Sequence, residues 1–212
     1  MKKGAAIFKI KSFVSKTKNY GGDSMDIFDE EKRVFLAKKD KSKKGSIDSG
    51  ILNLVSLINS QQDYYSTSSC SGRIVLIERE EAKEKDKAKW LFSSHDPVNK
   101  SLFLKKLYEI NLPEKTVWLR QEPLILHIRC RTLQSAFNLL NDVRKLGLKR
   151  SGVIAANKRV TIEIIGTERM DVPIAENRKF LIDENYLLYL IEKANAKLLL
   201  TKEKIKMLEK IF

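Results

Sequence analysis

Between Tyr64 and Arg73 the chain reads YYSTSSCSGR, and this stretch constrains the fold more than any other. The β-leaning pair Tyr64 and Tyr65 leads into a run of hydroxyls and one thiol, then Ser71, Gly72 and Arg73, and Ile74 to Ile77 is apolar again. The pattern predicts a strand, a tight small-residue turn and a second strand, that is, a hairpin. Two readings of that turn stand side by side. Turn chemistry by itself favours Ser and Gly. Small side chains also let backbone N–H groups approach a ligand closely, and Arg73 at the exit can pair with a phosphate or carboxylate through its planar fork.

The rest of the chain supplies the context. Its 212 residues fit one large core, and 42% hydrophobic with 32% charged residues describe a folded chain and not a disordered one. Lys and Arg number 41 against 27 Asp and Glu, a formal charge of +14 that calls for a polyanionic partner, nucleic acid before membrane. Cys70 and Cys130 are too few for a disulfide framework, so a reducing, cytoplasmic location is expected. No stretch approaches the ~20 apolar residues of a membrane span, and no membrane partner is expected.

In chain order, residues 1–24 read as an N-terminal extension, with an edge strand over Ala5 to Val14 as the alternative, and residues 25–212 as a single catalytic domain. A helix begins at Asp26 with acids in its first turn and Phe28, Phe35 and Leu36 available for burial. A second follows Asp48, with Ile51, Leu54, Val55 and Ile58 on one face. Glu78 to Lys89 alternates acids and lysines and reads as a solvated loop. Trp90 to Ser94 is a strand ending before Pro97, and Leu102 to Ile110 a short helix.

Thr116 to Gln121 and Pro123 to Arg131 form a second predicted hairpin. Period two puts Leu124, Leu126, Ile128 and Cys130 on its core face, and sets His127, Arg129 and Arg131 side by side on the other, a row that needs an anion or solvent. Thr132 caps a helix with Leu133, Ala136, Phe137, Leu140 and Val143 on one stripe, stopped at Gly147. Strands follow over Gly152 to Ala156, over Lys158 to Gly166 and near Val172. From Asp183, Leu187, Ile191, Ala194, Leu198, Ile205 and Leu208 keep helical phase almost to Phe212. The predicted class is α+β, a mixed or antiparallel sheet covered by helices with one long C-terminal helix.

The chemistry is sparse. No GxGxxG follows a strand and no GxxxxGK[ST] is present, so neither a dinucleotide fold nor a P-loop is supported. His127 and Cys130, three apart on a strand, point to opposite faces and no CxxC occurs, so no metal is expected. His95 ends an apolar strand beside Asp96, where an imidazole can exchange a proton near neutral pH or simply cap the strand.

Seven short motifs occur in order: DKSKKGSID (Asp40 to Asp48), STSSCSGR (Ser66 to Arg73), SSHD (Ser93 to Asp96), EPLILHIRCR (Glu122 to Arg131), GLKRSGV (Gly147 to Val153), NKR (Asn157 to Arg159) and DVPI (Asp171 to Ile174). Together they resemble the third wybutosine-synthesis enzyme family of tRNA. The resemblance implies an S-adenosylmethionine-dependent methyltransferase acting on N4 of 4-demethylwyosine, beside the anticodon of tRNA-Phe, on a fold that is not Rossmann-like. Because methyl transfer needs mainly alignment and removal of the N4 proton, His95 is expected as acceptor of that proton or positioner of the base, with Asp40 as the rival, and Ser66, Ser68, Ser69, Ser71 and Gly72 as the ligand-contacting turn. Arg73, His127 and Arg129 would bind carboxylate or phosphate, and Lys43, Lys44, Lys149, Arg150, Lys158 and Arg159 would extend the cationic footprint on tRNA. The competing class is a non-catalytic basic RNA-binding protein, which the charge suits equally; S-adenosylmethionine binding without RNA separates the two.

Overall fold

The computed structural model describes residues 26–37, 47–79 and 88–212. Asp40, Lys43 and Lys44, together with residues 1–24, lie outside these.

The expected α+β class is present, with the strands divided between two antiparallel sheets. A four-stranded sheet has the order β1 (Tyr64–Cys70), β5 (Ile125–Cys130), β7 (Val160–Ile165), β6 (Gly152–Ala155). A five-stranded sheet has the order β3 (Lys89–Ser94), β2 (Arg73–Glu78), β4 (Val117–Glu122), β8 (Met170–Glu176), β9 (Lys179–Phe180).

Neither predicted hairpin exists. β1 pairs with β5, whereas β2 pairs with β3 and β4, so Ser71 and Gly72 carry the chain from one sheet to the other. β4 and β5 are likewise parted at Pro123 and Leu124, and β7 and β8 at residues 166–169. These three crossings stack into one seam. A Cβ on Gly72 would lie 2.9 Å from the Glu122 carbonyl oxygen, and one on Gly166 would lie 3.1 Å from Pro123 Cβ. Gly166 N–H also donates to Leu124 O at 2.8 Å. Gly72 has φ +81°, which only glycine adopts without strain.

Among the described residues, five helices cover the sheets: α1 (Ile27–Leu36), α2 (Leu52–Ser60, entered through a 3₁₀ turn at Ser49–Ile51), α3 (Lys100–Glu109), α4 (Leu133–Lys145) and α5 (Glu184–Glu209). The inner face of the four-stranded sheet buries Leu124, Leu126, Ile128 and Cys130 against α2 and α4, and the Ile205 and Leu208 end of α5. The five-stranded sheet buries Ile74, Leu76, Val117 and Leu119 against α3 and the Leu187 to Leu198 part of α5. The 26 residues of α5 span about 39 Å, enough to serve both cores in turn. Asp183 caps it and accepts from Tyr186 N–H at 2.9 Å. No described helix is long and apolar enough to cross a membrane.

In α4 the buried stripe is Ser135, Ala136, Leu139, Leu140 and Val143, while Leu133 and Phe137 stay 43% and 46% exposed. Successive positions turn by about 100°, which puts Leu133 and Phe137 on the flank of the stripe that Leu139 completes. Helix α1 buries none of its residues. It is held by charge: Arg131 pairs with Asp26 and Asp29, and Glu31 pairs with Arg159 at 2.8 Å and Arg129 at 3.7 Å. Phe28 and Phe35 rest on Tyr65, with ring centroids 5.4 and 5.5 Å away.

Candidate functional site

The seam brings three of the sequence motifs into one hydrogen-bonded unit. Asp48 stands at the helix-start position yet caps no helix N–H. Its carboxylate turns instead to the crossing, accepting from Ser71 N–H at 3.2 Å through Oδ2 and facing His95 Nε2 at 3.2 Å through Oδ1. His95, just past β3, places Nδ1 2.9 Å from Gly72 O and 3.2 Å from Ser71 Oγ. The ring thereby ties the crossing to the end of β3. Asp48 is 8% exposed and Ser71 2%.

The same region is braced from α5 by three contacts within one turn. Thr201 Cγ2 would lie 3.0 Å from a Cβ on Gly72, Lys202 Nζ meets Asp96 Oδ1 at 2.5 Å, and Lys204 binds Glu168 on the β7–β8 crossing. Burial alone would raise the Glu168 carboxyl, but hydrogen bonds from Lys204 and Thr167 outweigh it and hold the group below its ordinary range. The hydrogen bond and charge of Lys202 likewise lower Asp96.

Cys70 Sγ, an Asp48 oxygen and a His95 nitrogen lie within 4.8 Å of one another, a grouping of metal-ligand types invisible in the sequence spacing. Burial pushes the Cys70 thiol up, which keeps it protonated near neutral pH, and the Asp48 and His95 atoms already bond each other and the crossing.

The remaining predicted residues divide. Ser66, Ser68 and Ser69 belong to β1 and not to a turn; Ser66 is buried and bonded to Asn59, its N–H at 2.8 Å and its hydroxyl at 3.1 Å. Ser68 lies opposite His127 and Ser69 opposite Leu126, hence on opposite faces of the sheet. Only Ser71 and Gly72 form the turn. Arg73 is paired with Glu122 at 2.7 Å and stacked on Trp90, 4.2 Å from the ring centroid.

The cationic row on β5 already has its anions. His127 meets Glu163 at 3.0 Å, Arg129 meets Thr161 and Glu31, and Arg131 meets Asp26, Asp29 and Asp63. Lys149, Arg150 and Lys158 are exposed, the first two before β6 and the last in the β6–β7 turn with the Glu31-paired Arg159. The unit that sequence reasoning missed is Asp48, whose place before an apolar helical run hid it as a cap; its position at the end of the GSID motif was the available signal.

The family model described as Methyltransferase TYW3 matches residues 30–212. A tRNA(Phe) 7-((3-amino-3-carboxypropyl)-4-demethylwyosine(37)-N(4))-methyltransferase of Archaeoglobus fulgidus is 38% identical over 177 residues, 83% of this chain and 86% of its own. A tRNA wybutosine-synthesizing protein 3 homolog of Xenopus laevis is 32% identical over 187 residues, 86% of this chain and 73% of its own. Among solved structures, the PH1069 protein of Pyrococcus horikoshii superposes with TM-score 0.79 at 34% identity, covering 86% of this chain and 94% of that one. The chain belongs to the TYW3 methyltransferase family. The two-sheet fold with its seam is therefore that of a methyltransferase without a glycine-rich dinucleotide loop.

Proposed function

We propose that this chain transfers a methyl group from S-adenosylmethionine to N4 of 4-demethylwyosine in tRNA(Phe), and that the reaction takes place at the seam. The observation that carries the placement is the convergence of Asp48, Ser71, Gly72 and His95, from three separate motifs, into one buried hydrogen-bonded unit.

The residues present fit the cofactor's chemistry through the small-residue crossing: Gly72 leaves no room for a side chain there, and the partly exposed Ser69, with Cys70, immediately precedes it. Cys70, kept a thiol by burial, does not offer a thiolate that would take the methyl itself. When bound, S-adenosylmethionine supplies an electrophilic methyl on a sulfonium. Such a transfer needs mainly alignment, so few catalytic groups are required. His95, held between Asp48 and Gly72 O, positions the crossing and the base, and the N4 proton leaves to solvent or to a group outside the described residues. Arg73, at the exit of the crossing, faces the RNA.

Incubating demethylwyosine-containing tRNA with the protein and S-adenosylmethionine should yield a nucleoside heavier by one methyl group at N4. Absence of that nucleoside, with RNA binding intact and no calorimetric binding of S-adenosylmethionine, would leave the non-catalytic RNA-binding reading in its place.

A further inference from the structure

Both tryptophans of the chain stand in one cross-strand row of the five-stranded sheet. Ile77 of β2 has Trp90 of β3 opposite it on one side and Trp118 of β4 on the other. Residues directly opposite in an antiparallel ladder share a face. Ile77 and Val75 are 4% and 0% exposed, yet neither belongs to either core; the helices bury their alternates Ile74 and Leu76 on the other side of the sheet. This outer face carries guanidinium groups among the indoles. Arg73 reaches along it until Cζ lies 4.2 Å from the Trp90 centroid, while Trp90 remains 46% exposed. Arg120, opposite Val75, pairs with Asp171. Arg79, two residues beyond Ile77, has a buried Nε with no hydrogen-bond partner among the described residues.

Indoles interleaved with arginines form a surface suited to unpaired RNA, whose splayed bases stack on aromatic rings and guanidinium planes while phosphates meet the charges. The face is also continuous with the seam, because Arg73 directly follows Gly72. We propose that the outer face of the five-stranded sheet receives the single-stranded loop of the RNA substrate, a base stacking on the open side of Trp90 and phosphates meeting Arg73, Arg79 and Arg120. This rests on the RNA-modifying activity proposed above and specifies which surface holds the RNA.

Because no other tryptophan exists in the chain, fluorescence excited selectively in tryptophan reports on this face. A stem-loop RNA with the tRNA(Phe) anticodon-loop sequence should quench it; a fully paired RNA duplex of equal length should quench it far less, and S-adenosylmethionine alone should leave it unchanged. Trp90→Ala should weaken stem-loop binding about tenfold or more, the effect of losing one base–aromatic stack, and Trp90→Phe should recover most of it. Tyr186→Ala, an exposed aromatic on α5, should bind within about twofold of wild type by the same stacking argument. If Trp90→Ala proves unstable, Trp90→Phe and Trp118→Phe provide the same reading through the tryptophan that each retains. Stem-loop binding without quenching, an unchanged affinity of Trp90→Ala, or equal quenching by the duplex would overturn the assignment. Quenching by S-adenosylmethionine alone would instead make the face a cofactor platform. Methylated nucleoside formed without any tryptophan response sinks this inference only; a tryptophan response without methylation sinks the activity only.

Discussion

Asp48 Oδ1 and His95 Nε2 face each other at 3.2 Å, joining the start of a helix to the end of a strand across the crossing at Ser71 and Gly72. If the two act as one positioning unit, Asp48→Asn and His95→Asn should each slow single-turnover methylation by roughly 10²-fold, and the double variant should be little slower than either. Asp48→Asn should also cost about 1–3 kcal/mol of stability through the weakened buried partner. A double variant whose loss equals the product of the singles would show that the two side chains work separately.

Gly72 and Gly147 have nearly the same left-handed φ, +81° and +85°, but only Gly72 is crowded. Gly147→Ala should cost about 1–2 kcal/mol from backbone strain alone. Gly72→Ala meets the Glu122 carbonyl and Thr201 as well, and should lose at least ~2 kcal/mol more, an overpacking cost, and depress activity with it. Denaturant midpoints of the two variants, taken with equal slopes, measure the difference.

Glu168 provides a pH signature. Its folded carboxyl titrates below the ordinary value of 4.5, so its contribution is fully present above that value and is lost as pH falls through the lower folded one. Glu168→Gln should therefore destabilise at neutral pH by about 1.5–3 kcal/mol, the range for a hydrogen bond to a charged group, and the deficit should shrink towards acid. A deficit independent of pH between neutrality and strong acid would assign the loss to packing.

Burial pushes the Cys130 thiol up to about 12 and raises Cys70 as well. Neither should react with iodoacetamide at neutral pH until the protein unfolds. Cys130→Ser should cost about 1–3 kcal/mol by burying a hydroxyl, and Cys70→Ser less. The purified protein should hold less than stoichiometric zinc; one equivalent would put the ion on Asp48, Cys70 and His95.

Arg131 is the clamp of α1, meeting Asp26 and Asp29 and lying 4.6 Å from the Phe28 ring. Arg131→Ala should speed hydrogen exchange throughout α1 while leaving α2, α4 and the sheets protected, since α1 buries none of its residues. Uniform acceleration across the chain would mean that α1 folds with the core.

Faces were legible in the sequence. Leu124, Leu126, Ile128 and Cys130 are all buried, as are the six apolar positions named along α5, because period two and period 3.6 record which side of an element meets the core. Caps at Asp26, Thr132 and Asp183, and the left-handed stop at Gly147, follow equally from local chemistry. Strand partners were not legible. Tyr64 to Glu78 reads the same whether its halves pair with each other or with different sheets, since alternation fixes a face and leaves the choice of ladder partner open. The same limit hid the row of tryptophans flanking Ile77. It also hid the fate of Arg129 and Arg131, whose carboxylates come from α1, its cap Asp26 and Asp63, all remote in sequence. Sequence motifs named Ser71, Gly72 and His95 separately; their union with Asp48 arises only where three crossings and α5 meet, because hydrogen bonds between distant residues are decided by how the sheets close and not by the residues on either side.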